Sequence, residues 1–170
     1  MWCHIAYLFP ASSHKERLTK YINHKKDVVY TGITFPIILN QIEKIANLNT
    51  INFNILALDV AEKFVVPLYI SNNNYDKICE MLLIRKVVDN TIKSHFVLIT
   101  DFSKLLYNQN KCKRKVCYCK RCLQHFSCIE KLDNHMNDCK KIKPQKAIFP
   151  NKKDKFVKLK IIGIKFKLLL

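Results

Sequence analysis

The segment Cys117-Tyr-Cys119-Lys-Arg-Cys122-Leu-Gln-His125-Phe126-Ser-Cys128-Ile-Glu-Lys-Leu132-Asp-Asn-His135-Met-Asn-Asp-Cys139 holds five cysteines and two histidines. Four of these residues, Cys119, Cys122, His135 and Cys139, follow the spacing C-x2-C-x12-H-x3-C. A Cys-x-x-Cys turn points two thiolates at one metal ion, and His and Cys four apart on a helix lie one turn apart on one face. Together they complete a tetrahedron of protein ligands, which suits a structural zinc ion and leaves no open position for catalysis.

Features of separate physical origin agree with a ββα finger. Phe126 and Leu132 stand where such fingers place their two core residues, four after the second cysteine and three before the histidine. Ser127-Cys-Ile-Glu130 has the S-x-x-E form of a capping box at the expected helix start. The metal is expected to be needed for folding, because so small a module has little core of its own. Cys112, Cys117, Cys128 and His125 are nearby spare donors, expected to be spectators, with Tyr118 supplying the aromatic packing usual at the position of Cys117.

On either side of the finger the chain changes character. Its net charge of +17 is unevenly spread. Residues 1–110 hold 12 Lys/Arg and 9 Asp/Glu, a net of +3, while residues 111–170 hold 18 and 4, a net of +14. The shift near Asn110 divides the chain into an α+β domain over 1–110, the zinc finger over 111–142, and a basic, mostly irregular tail over 143–170. DNA or RNA is the partner expected for the basic half. Phosphate contacts are expected from Lys111, Lys113, Arg114, Lys115, Lys120 and Arg121. On the finger helix, positions −1, 3 and 6 fall on Cys128, Lys131 and Asn134, so that Lys131 can address guanine and Asn134 adenine. The competing reading is a finger that docks onto its own protein or a protein partner.

Within residues 1–110 the spacing predicts short helices over 2–9 and 14–23 and a helix over 37–47 after Pro36. Strand-like runs follow at Ile51–Leu58, Phe64–Ile70, Ile78–Ile84 and His95–Thr100, with Ser71-Asn-Asn-Asn74 as a turn and a closing helix over Asp101–Tyr107. Helices first and strands after suggest an α+β fold with a mainly antiparallel sheet. The 49 % apolar content allows an ordinary core, and no apolar run reaches the roughly 18 residues that span a bilayer. No membrane partner is expected, although Lys158–Leu170 alternates Lys with apolar residues and can be an exposed strand or an amphipathic tail. The start lacks a basic region and cleavage site, so an intracellular, nuclear and reducing setting is expected, where clustered cysteines bind metal. With only Gly32 and Gly163, phosphate-cradling glycine loops are absent. Cys3, His95 and Asp101 stand in the order of nucleophile, base and orienter of a papain-like protease, an alternative in which Cys3 must be a thiolate beside His95.

Several pieces in order resemble a known family. They are Trp2…Pro10, His14-Lys-Glu-Arg17…Tyr21, Gly32-Ile-Thr-Phe-Pro36, Ile51-Asn-Phe-Asn-Ile55, Pro67-Leu-Tyr-Ile70, His95-Phe-Val-Leu-Ile-Thr-Asp101 with Leu105-Leu106, and the finger itself. The chain resembles the region upstream of the exonuclease in protein-primed family B DNA polymerases of Polinton (Maverick) transposons and related virus-like elements. The resemblance implies an exonuclease and a polymerase palm following the finger, with acidic residues that hold catalytic cations. Neither a D-x-E nor a D-T-D motif occurs here, so the chain is expected not to polymerise or proofread DNA and to be no enzyme. The family pattern also places a cysteine three residues before the tryptophan matching Trp2, so Cys3 is not its counterpart. The Lys158–Leu170 segment departs from the family, which suggests a truncated or frame-shifted transposon remnant.

Overall fold

A computed structural model describes residues 1–59, 64–88, 91–110, 116–142, 146–148, 156–161 and 164–169. The fold is mixed α+β. Helix α1 (Trp2–Leu8) and helix α2 (Ile42–Asn49) precede strands β1 (Asn52–Asp59), β2 (Phe64–Ile70), β3 (Ile78–Val88) and β4 (Thr91–Leu98), and helix α3 (Phe102–Asn110) follows them. The finger supplies β5 (Cys117–Tyr118), β6 (His125–Phe126) and α4 (Ile129–Cys139).

The four long strands form one sheet in the order β2-β1-β3-β4. Two of its three pairings are antiparallel, and the central pair β1–β3 is parallel. The parallel pair arises because the chain leaves β2 beside the start of β1 and crosses that end to begin β3. Buried Asn52 pins the crossover: its backbone N–H donates to Lys77 O at 2.8 Å and its Nδ2 to Tyr75 O at 2.7 Å. Apolar side chains pack on both faces of β1, hence the unbroken apolar run Ile55–Leu58.

Alternation sends the two faces of the sheet to two cores. Phe53, Ile55 and Ala57 of β1, with Met81 and Leu83 of β3, face α2 and pack with Ile42, Ile45 and Ala46. Leu56, Val65 and Leu82 face the other way and pack with Leu106 of α3 and with Tyr118 and Leu123 of the finger. The finger therefore covers part of the sheet's second face.

Several expectations differ in detail; the helix expected over 37–47 is a 3₁₀ turn at Leu39–Gln41 followed by α2, and β3 runs on past Ile84 to Val88. Residues 14–23 do not form an α-helix; 3₁₀ turns occupy Leu18–Lys20 and Ile22–Asp27 instead. Arg17 is extended, and Tyr21 alone is buried there, its Oη donating to Lys15 O at 2.8 Å, while Leu18 and Ile22 are half exposed. One buried side chain cannot hold an amphipathic helix against the sheet. β4 begins at Thr91 rather than His95, because it pairs with β3 along an extended hairpin. The tail, expected to be mostly irregular, contains an antiparallel sheet of β7 (Lys146–Ile148), β8 (Phe156–Ile161) and β9 (Ile164–Leu169). Its Lys–apolar alternation has the period of a strand.

Leu106 is fully buried where sheet, α3 and finger meet. Leu106→Ala is expected to lower stability by about 2–5 kcal/mol in urea unfolding at saturating zinc, with the exposed Tyr107→Ala costing less than about 1 kcal/mol.

Candidate metal centre

The knuckle is built by backbone bonds that the sequence places locally. Cys119 N–H donates to Gln124 O at 2.9 Å, and Leu123 N–H returns to Cys119 O at 2.8 Å. Leu123 adopts a left-handed φ of 64°, a conformation that ordinarily favours glycine. Leucine is retained because its side chain is buried in the second core, so burial offsets the backbone strain.

The structure brings all four expected ligands together: Cys119 Sγ, Cys122 Sγ, one His135 ring nitrogen and Cys139 Sγ lie within 4.8 Å of one another. A tetrahedral zinc ion with Zn–S of about 2.3 Å and Zn–N of about 2.0 Å sets S–S edges of about 3.8 Å and S–N edges of about 3.5 Å. Cys119 Sγ and Cys139 Sγ are 3.7 Å apart, and Cys122 Sγ and His135 Nε2 are 3.3 Å apart. The donor set and its edges fit zinc, which this cluster can bind. Zinc held by four protein ligands supplies a fixed crosslink and a charge, with no vacant position for substrate. The Phe126 ring, 4.7 Å from the His135 imidazole, holds that ring in place.

Before metal binds, the thiol protons are unevenly held. Cys119 is pulled down to about 4, first because the Cys122 thiol donates to its sulfur. Cys122 is pushed far up by the same bond, and Cys139 is raised chiefly by burial. The bond between Cys119 and Cys122 thus favours the charged form of Cys119 over that of Cys122. Metal uptake competes with the protons that these thiols hold.

Among the described residues, the spare donors Cys117, Cys128 and His125 stay outside the cluster. Cys117 pairs with Phe126 across β5–β6, and Cys128 is the N-cap of α4. The cap differs from the expected box: the helix starts one residue after Cys128, not at Ser127, and no side chain caps it. Glu130 instead lies in the first turn, held below its ordinary value chiefly by the Cys128 thiol. Cys112 lies outside the described residues.

Two of the expected phosphate contacts have partners inside the protein. Lys120 Nζ lies 3.0 Å from Glu80 Oε1 of β3. Arg121 donates to Ile142 O at 2.7 Å and to Asn72 Oδ1 in the crossover loop at 3.3 Å. These bonds tie the knuckle to the sheet. Glu80, a single charge inside the apolar run Ile78–Ile84, was the sequence signal that a partner existed. Lys131 and Asn134 are exposed on α4. Lys111, Lys113, Arg114 and Lys115 lie outside the described residues.

The protease residues do not form a hydrogen-bonded set. Cys3 Sγ donates to Phe96 O at 3.2 Å, and burial raises its thiol, opposite to what a nucleophile needs. Asp101 Oδ1 accepts from Lys104 N–H at 3.0 Å at the start of α3, and no bond joins His95 to either residue.

Purified protein is expected to carry about one equivalent of zinc, lost on Cys122→Ser or His135→Ala but kept on Cys117→Ser or Cys128→Ser, by elemental analysis. Apparent zinc affinity is expected to fall as pH is lowered, because protons compete for Cys122 and Cys139, both raised above the ordinary thiol value, and competition with a chromophoric chelator across pH reads this directly. No helix among the described residues is long and apolar enough to cross a membrane. No family model, curated protein or solved structure matches the chain.

Proposed function

We propose that the chain is a non-catalytic nucleic-acid-binding module in which zinc clamps the finger to the sheet and the basic flanks meet the phosphates. The reading includes an origin in the pre-exonuclease region of a Polinton-type polymerase and a place in the nucleus. The observation that carries the nucleic-acid reading is the register of the tail. Lys158 pairs with Lys167, Lys160 with Lys165, and Lys146 with Lys160. By strand alternation these five positions share one face of the β7-β8-β9 sheet. Like charges directly opposite one another destabilise a strand pair, and a polyanion laid along that face relieves the repulsion.

The helix α4 supports a supporting rather than a reading role for the finger. It carries Glu130, Asp133 and Asp138 against Lys131, so its own charge opposes entry into a DNA groove. Lys120 and Arg121 are drawn into the protein by Glu80, Asn72 and Ile142. Binding is therefore electrostatic and tolerant of sequence.

Fluorescence anisotropy with random-sequence oligonucleotides across a salt series tests the proposal. If the five tail lysines each meet a phosphate, log K against log salt has a slope of about −4 to −5 on duplex and about −3 to −4 on single strands. Replacing Lys158, Lys160, Lys165 and Lys167 by Glu removes most of that slope, whereas Lys131→Ala with Asn134→Ala leaves it. Salt-insensitive binding, or loss through the α4 variant alone, contradicts the proposal.

A further inference from the structure

A groove of about 1350 Å³ runs along β4 on the side of the molecule away from β2. Trp2, Leu18, Phe35, Ile38, Phe96 and Val97 line it. Leu18, Phe35, Ile38 and Val97 are among the exposed large apolar side chains, at 51 %, 56 %, 54 % and 38 %. Apolar surface gathered in one groove marks a binding surface more than scattered exposure does.

The floor of this groove is a sheet edge that α1 covers at its far end, where Cys3 meets the backbone of Phe96 and Leu98, and that stands open at Ser94 and the Phe96 amide. Among the described residues β4 pairs with β3 alone. Just past the strand's end, Ile99 N–H donates to Glu80 O of β3 at 2.9 Å. Backbone groups alternate sides along a strand, so Lys93, His95 and Val97 turn theirs toward β3, and Ser94, Phe96 and Leu98 turn theirs outward. The Cys3 contact agrees: its thiol, a weak donor, meets the outward carbonyl of Phe96. Every residue from Lys93 to Leu98 lines the groove, as expected for a channel that follows the edge rather than one face.

The charges at the rim choose among occupants. Lys15, Arg85 and Lys93 line the groove with a single acid, Glu16. Glu16 already lies beside His14 at 3.6 Å and Arg17 at 3.8 Å. Neither Lys15 nor Lys93 has an acidic partner among the described residues.

We propose that β4 captures an extended peptide as an added strand, with alternate apolar side chains seated in the groove and acidic ones beside Lys15 and Lys93. Main-chain pairing at an exposed edge supplies affinity, and the side-chain pockets and rim charges supply selectivity. A ladder of outward backbone donors and acceptors fits a peptide; nucleic acid offers no matching backbone.

Trp2, the chain's single tryptophan, reports occupancy by its fluorescence. The probe is an eight-residue acetylated and amidated peptide of alternating Val and Glu, titrated into the full zinc-loaded chain. A matched peptide of alternating Val and Lys and an eight-residue oligothymidine serve as controls. Saturable binding of the Val–Glu peptide, with new hydrogen-exchange protection at the Ser94 and Phe96 amides, is the expected result. Ser94→Pro removes one outward N–H without touching the β3 ladder and is expected to weaken binding roughly tenfold. Lys93→Glu, a surface change that leaves folding unaffected, is expected to reverse the preference between the two peptides. No Trp2 response to the Val–Glu peptide, a response to oligothymidine alone, or unchanged binding in both variants overturns the proposal.

Discussion

Four donors from two separate pieces of backbone, the knuckle at Cys119 and Cys122 and the helix at His135 and Cys139, converge within 4.8 Å. Charged thiolates brought this close repel unless a cation or protons sit among them, and the protons held by Cys122 and Cys139 are the alternative to metal. A zinc ion at this point fixes α4 against the knuckle. The knuckle in turn carries Tyr118 and Leu123 onto Leu56, Val65, Leu82 and Leu106. Metal binding is thereby coupled to closure of the second core, and a residue as strained as Leu123 is tolerated because it serves both.

This coupling changes what the finger is for. An isolated finger exposes its basic knuckle and its helix; here Lys120 and Arg121 hold the knuckle to β3 and the crossover loop. The excess positive charge of the chain lies mainly in residues 111–170, and Lys158, Lys160, Lys165 and Lys167 pair across β8 and β9.

The metal ligands were legible because ligand spacing is a local constraint: a Cys-x-x-Cys turn and an i, i+4 pair are fixed by backbone geometry within a few residues. The strand Phe64–Ile70 was legible to the residue for a similar reason, since its apolar run ends in the turn-forming Ser71–Asn74. Three features were not. The parallel pairing of β1 with β3 depends on which end of β1 the crossover passes, which Asn52 decides through bonds to Tyr75 and Lys77. The absence of an α-helix over residues 14–23 depends on tertiary burial of Tyr21 alone. The docking of the finger depends on Glu80, whose partner is forty residues away in sequence. Each is a long-range choice that periodicity does not encode.

The central claim is that metal at Cys119, Cys122, His135 and Cys139 orders the finger and, through it, the second face of the sheet. Hydrogen exchange of the zinc-loaded chain, compared with the same chain after chelation, measures this most directly. The account predicts that chelation strips protection from α4 and from the Cys119 and Leu123 amides. It also predicts weakened protection in α3 around Leu106, while α2 and the Phe53–Ile55 face keep theirs. Unchanged exchange in α4 and the knuckle after the metal is removed would contradict it.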